Sequence, residues 1–167
     1  QKPGYRLREG EEVIIEYELP SETKIQPEDI PLSVINSDDD LIVIDKPSGM
    51  VVHPGAGVRS GTLANALLFH FPETANVGPA QRPGIVHRLD KETSGVLVAV
   101  RSKFAYKALQ QQFRSRSVEK LYLGLVWGRM PQKEGRITWA VGRHKKFGQK
   151  MSIHSRKLRE AETRYSV

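Results

Sequence analysis

The chain contains no cysteine. That excludes a disulfide framework and a thiolate-bound metal, and it suits a reducing compartment, so a cytoplasmic location is expected. Long apolar runs are missing too. None approaches the roughly 18 residues that a membrane-spanning helix needs, and residues 1–12 (QKPGYRLREGEE) lack the apolar core of a secretion signal. The five histidines, His53, His70, His87, His144 and His154, show no paired metal-ligand spacing. Asp38, Asp39 and Asp40 lack the alternating ligands, glycine and distal glutamate of a calcium loop, so they read as a solvated turn. No metal and no membrane partner is expected. Internal repeats and low-complexity segments are also lacking.

What is present is a basic chain of ordinary domain size. Its 167 residues are 38% hydrophobic, enough for one packed core, and carry a net charge of +7. The charge is unevenly placed. Residues 1–40 hold four Lys/Arg against eleven Asp/Glu, and residues 41–167 hold 22 against eight. A field of that sign over the larger part attracts polyanions, nucleic acid foremost.

Apolar periodicity sets out the elements. Residues 11–19 alternate as a strand. Residues 20–31 carry three prolines without a sustained period and read as a linker. Residues 32–35 and 41–44 form a hairpin around the polar turn 36–40, and residues 50–52 a short strand running into a Gly-containing loop. Thr62 caps a helix whose apolar face holds Leu63, Ala66, Leu67 and Phe71, with Pro72 as its stop. Ser102 caps a second helix, with Lys103, Lys107, Arg114 and Arg116 supplying positive charge. Strands are predicted over 121–127, 136–141, 151–153 and 161–167. Many strands around two helices predict an α+β fold with a mixed or antiparallel sheet.

One stretch concentrates chemistry. Residues 82–101 (RPGIVHRLDKETSGVLVAVR) read as strand, polar loop and buried strand, with Asp90 flanked by Arg88 and Lys91. Polar groups between core strands are costly and are often functional; a structural ion pair is the competing reading. A His87–Ser94–Asp90 hydrolase triad lacks the nucleophile-elbow spacing. A two-carboxylate glycosidase would need Glu92 as the second acid, and Glu92 falls at the loop tip. Further on, Arg143, His144, Lys145, Lys146 and Lys150 surround Phe147 in a basic loop suited to an RNA backbone.

GIVHRLDKETSGVLVAV at residues 84–100 resembles the signature of the RluA-type pseudouridine synthases, and within them the RluD-like branch acting on ribosomal RNA. LIVIDKPSGMVVHPG at 41–55 and GTLANALL at 61–68 resemble that family's first motif and first helix. The run from Phe113 through Arg116, Val118, Lys120, Tyr122 and Val126 to Gly128 resembles its second catalytic motif, and residues 137–151 and 161–167 agree as well.

The resemblance implies a cofactor-free isomerase that converts uridine to pseudouridine in RNA, most directly large-subunit ribosomal RNA. A transfer-RNA substrate or a non-catalytic RNA-binding module are the alternatives. It places Asp90 as the catalytic nucleophile. Arg88 would hold the flipped nucleotide or fill its place, and Tyr122 would stack on the uracil. His87, Lys91 and Thr93 would complete the substrate contacts. It assigns residues 1–19 to the end of an N-terminal RNA-binding domain and 32–167 to the catalytic domain. A later motif of the type GRTHQIR is absent, and residue 167 falls within a strand pattern, so a catalytic domain incomplete at its C-terminus is expected. A monomer is the default expectation.

Overall fold

The structure, a computed structural model, describes residues 5, 6, 8–14, 25–55, 57–145, 147, 150–155 and 157–167. It is α+β, with small antiparallel sheets and two helices, as the patterning predicts. The chain divides into two compact units, Gln1–Glu119 and Lys120–Val167. Among the described residues no helix is long and apolar enough to cross a membrane.

The first unit is built on a three-stranded sheet in the order β1 (Ser33–Ser37), β2 (Leu41–Lys46), β3 (Gly95–Val100). Asp38 makes the β1–β2 turn: its carboxylate accepts the N–H groups of Asp40 and Leu41 at 2.8 and 2.7 Å. Strand β2 pairs antiparallel with β3, setting Ile42 opposite Ala99, Ile44 opposite Leu97 and Lys46 opposite Gly95. The period of two sends Ile42, Ile44, Leu97 and Ala99 to one face, where they are buried with Val52, Leu63, Leu67, Ile85 and Leu89. Each large aliphatic side chain there contributes about 1.5–3 kcal/mol through burial.

Helix α1 (Leu63–His70) covers that face. The side-chain carbonyl of Asn65 accepts the N–H of Thr62 at 3.0 Å and its hydroxyl at 2.5 Å, which fixes the first turn. Six consecutive residues of α1, from Leu63 to Leu68, are buried, so the helix is enclosed rather than half-exposed as its apolar face predicts. Residues 50–52 form no strand. Instead the carbonyls of Val51 and Val52 accept the N–H groups of Leu63 and Ala64 at 2.9 and 3.0 Å, satisfying donors that a helix start leaves open. After α1, Pro72–Asn76 makes a 3₁₀ turn within the expected loop.

Helix α2 (Lys103–Ser115) begins as predicted, with Ser102 Oγ accepting the N–H of Ala105 at 3.1 Å. It ends on Arg116 in the left-handed conformation, φ 58°. Ala105 is buried with Val77 and Val100, and Tyr106 and Leu109 pack beside them. Arg101 fastens the neighbouring turns. Its guanidinium pairs with Glu73 at 2.6 Å and donates to the Asp38 carbonyl at 2.6 Å.

In the second unit β4 (Glu134–Ile137) pairs with β7 (Thr163–Ser166), and β5 (Gly142–Arg143) with β6 (Met151–Ser152), all antiparallel. The strand expected over 121–127 is not formed. Leu121, Leu123, Leu125 and Trp127 are almost fully exposed, and no ladder partner lies against them among the described residues. Alternation can say which side chains share a face, but a strand also needs a neighbour to hydrogen-bond. Of the strand expected over 11–19, residues 11–14 are irregular and the rest lies outside the described residues.

Candidate active site

The site is built from the loop of residues 88–94 that leads into β3. Ile85 bridges to Ala99, and the N–H of Val100 donates to the Gly84 carbonyl at 2.9 Å, so the approach to the loop is pinned to β3. Leu89 is only 7% exposed and belongs to the main core. With Leu89 turned inward, its neighbours Arg88 and Asp90 are exposed. The Asp90 carbonyl accepts the N–H of Thr93 at 3.1 Å, closing the turn. The loop is therefore anchored by one buried leucine and presents one carboxylate.

A second turn holds this loop from below. Lys46, the last residue of β2, is fully buried. Its ammonium donates to the carbonyls of Pro47, Met50 and Lys91 at 2.8, 2.9 and 3.2 Å. The Lys91 carbonyl also accepts the N–H of Gly49 at 2.8 Å, and Ser48 Oγ donates to the Glu92 carbonyl at 2.8 Å. The turn 46–49 thus grips two successive carbonyls just after Asp90. Burial holds the Lys46 ammonium below the usual lysine range, while the charge of Glu92 opposes that shift. Three carbonyl oxygens satisfy its three donors, which is how a charge is tolerated in the core.

The expected cationic flank of Asp90 is not an ion-pair network. Among the described residues, neither Arg88 nor Lys91 pairs with it; Lys91 instead reaches Glu92 at 3.8 Å, with both side chains largely exposed. His87 faces the other way. Its Nε2 accepts the N–H of Val98 at 3.0 Å, which assigns the Nδ1–H tautomer, and its ring stacks on Phe113 of α2 with centroids 4.6 Å apart. Arg88, Asp90, Lys91 and Thr93 share one loop, whereas His87 is taken up in packing.

The other candidates lie in the second unit. Tyr122 is exposed on the irregular segment that precedes Gly128. Arg143 lies on β5, and His144 and Lys150 close the turn to β6 through a 2.8 Å bond from the His144 N–H to the Lys150 carbonyl. His144 Nδ1 accepts the N–H of Phe147 at 3.1 Å, and the Lys150 ammonium lies 5.6 Å from the centre of the Phe147 ring. Lys146 is outside the described residues. A groove of about 770 Å³ beside this hairpin is lined by Arg143, Lys145, Lys157 and Arg159, with Val141 and Met151 among its apolar walls. No carboxylate lines it among the described residues, which is a polyanion-binding character.

The family model for RNA pseudouridylate synthases matches residues 40–167, which takes in the Lys46 turn, the Asp90 loop and the basic hairpin. The chain belongs to the RNA pseudouridylate synthase family. An uncharacterised RNA pseudouridine synthase from Aquifex aeolicus is 46% identical over 144 residues, covering 86% of this chain and 46% of that protein. Ribosomal large subunit pseudouridine synthase D of Xanthomonas campestris is 44% identical over 166 residues, covering 99% and 49%. The chain thus spans about half the length of these relatives. Among solved structures, human RNA pseudouridylate synthase domain containing 1 aligns with a TM-score of 0.61 and 26% identity, over 80% of this chain and 51% of that one.

Within this family member, sequence reading misses Lys46 as a site residue. The signal was present: Lys46 follows Ile42 and Ile44 at a spacing of two and so falls on the buried face. Lys157 and Arg159 were also missed, because two cations in an irregular stretch look like any solvated surface. Among the described residues no group of three His, Cys, Asp or Glu side chains converges as a metal site.

Proposed function

We propose that the protein converts uridine to pseudouridine within RNA, in the cytoplasm, with Asp90 as the nucleophile. The observation that carries this reading is a solvent-facing carboxylate on a loop fixed from within by Leu89 and from below by Lys46, Ser48 and Gly49. The family membership supports the chemistry. In the reaction the C1′–N1 bond breaks and a C1′–C5 bond forms; the C5 hydrogen leaves as a proton and N1 acquires one. Electrons balance without an oxidant or reductant. Arg88, Lys91 and Thr93, on the same loop as Asp90, are the residues to hold the uridine flipped to it, since a base must leave its stack to be worked on. By the family resemblance Tyr122 would stack on the uracil, and Arg143, His144, Lys145, Lys146 and Lys150 would contact the RNA backbone.

Large-subunit ribosomal RNA is the substrate class, supported by relatives at 40–44% identity whose names specify the ribosomal large subunit. Residues 1–19 belong to the end of a separate RNA-binding domain, joined by 20–31. The test is tritium release from RNA labelled at uridine C5, with the full-length protein. Wild type releases tritium, and Asp90→Asn, nearly isosteric, loses release at least 10³-fold while still binding RNA. Undiminished release by that variant overturns the assignment of Asp90.

A further inference from the structure

We propose that the outer face of α2 is a docking surface for the RNA strand flanking the target nucleotide. This rests on the reading that the substrate is RNA and extends it to a surface outside the Asp90 loop and the basic hairpin. Lys103, Lys107, Gln110, Gln111 and Arg114 fall within an arc of about 100° on one helical face, since Lys107 and Arg114 each lie three or four residues from both glutamines, and all five are exposed. The opposite face carries Ala105, Leu109 and Phe113 and is taken up in packing, so this orientation is fixed. Helix α2 contains no acidic residue. Among the described residues no carboxylate forms an ion pair with Lys103, Lys107 or Arg114.

Two further observations give the surface a direction. Lys107, Gln110, Gln111 and Arg114 line an open groove whose remaining wall is Val86, four residues before Asp90. The stack of His87 on Phe113 fixes α2 against the segment that delivers the Asp90 loop. A polyanionic strand leaving the Asp90 loop along this wall meets cations and amides. The Tyr106 hydroxyl accepts a 2.7 Å bond from the Gln110 amide and orders that side chain before anything binds. Two cations with two amides between them suit phosphodiester oxygens and ribose hydroxyls, which supply acceptors and donors without any sequence requirement.

The experiment uses the full-length protein and a large-subunit ribosomal RNA transcript labelled with tritium at uridine C5. Lys107→Ala/Arg114→Ala is compared with wild type and with the charge-keeping Lys107→Arg/Arg114→Lys. Both substituted side chains are exposed, so an unchanged melting temperature is expected. Loss of two phosphate contacts lowers the slope of log K against log salt by about 1.4 for a single strand and weakens binding roughly tenfold at about 0.1 M salt. KM rises with it, kcat is unchanged, and the charge-keeping variant behaves as wild type. An active wild type whose alanine variant shows the same slope and KM overturns the α2 surface while the catalytic reading stands; the face would then suit an acidic protein surface instead. A reduced slope with a wild type that releases no tritium upholds the surface and overturns the catalytic reading.

Discussion

The ammonium of Lys46 donates a 3.2 Å hydrogen bond to the backbone carbonyl of Lys91, 45 residues away in sequence and one residue past Asp90. Lys46 is thereby a positioning residue: it touches the loop's backbone and not its carboxylate. Replacement by Met keeps the length and removes the charge. The carbonyls of Pro47 and Met50 lose their charged donor, while Lys91 keeps the Gly49 N–H. A buried carbonyl left without its donor costs about 1–3 kcal/mol. Lys46→Met is therefore expected to lower the melting temperature and, in the protein that remains folded, to lower kcat about 10²-fold, as a displacement near 1 Å can do. Tritium release kinetics and a melting curve check this; a wild-type kcat would contradict it.

His87 is expected to act on stability before it acts on substrate. His87→Ala leaves the Val98 N–H without its acceptor and strips the Phe113 ring of its partner. The lost acceptor alone costs about 1–3 kcal/mol. Denaturant unfolding should show this loss. An unchanged midpoint would contradict this, and a raised KM beside it would support His87 as a substrate contact.

Gly84 is held at φ +66°, and a Cβ there would lie 2.8 Å from the Val100 carbonyl oxygen and 3.2 Å from Thr74 Cβ. Those neighbours are backbone and a fully buried side chain, which cannot swing away. Gly84→Ala should destabilise by at least about 1–2 kcal/mol, through the strained φ and the displaced strand β3. Gly49→Ala, also at positive φ (+87°) but with nothing within 4 Å of the added methyl, is the milder comparison. Equal losses in the two variants would mean that the contact at Gly84 contributes nothing.

Asp38 gives the chain an acid-sensitive turn. The N–H groups of Leu41 and Asp40, in that order, hold its carboxyl below the ordinary value of 3.8, with the Arg101 charge adding to them. A depressed carboxylate stabilises the fold fully above the unfolded value, and the contribution is lost as pH falls through the lower folded value. Stability should therefore decline from about pH 4 downward. Asp38→Asn keeps an acceptor for both N–H groups and should lack that component of the decline. Parallel unfolding curves for the two proteins between about pH 5 and pH 2 would contradict it.

Much of this protein is determined by short-range pattern. The apolar runs at 41–44 and 96–100 and the caps at Thr62 and Ser102 each follow from a run or a cap that acts within a few residues, and each is found in the structure. Tertiary structure decided what depends on partners far along the chain. Residues 50–52 became acceptors for a helix start rather than a strand, and residues 121–127 have no ladder partner among the described residues despite their strand pattern. His87 was committed to Val98 and Phe113, and Lys46 was brought to the carbonyl beside Asp90. A period fixes which way a side chain points; a hydrogen-bond partner 11 or 45 residues distant is set only when the chain has folded.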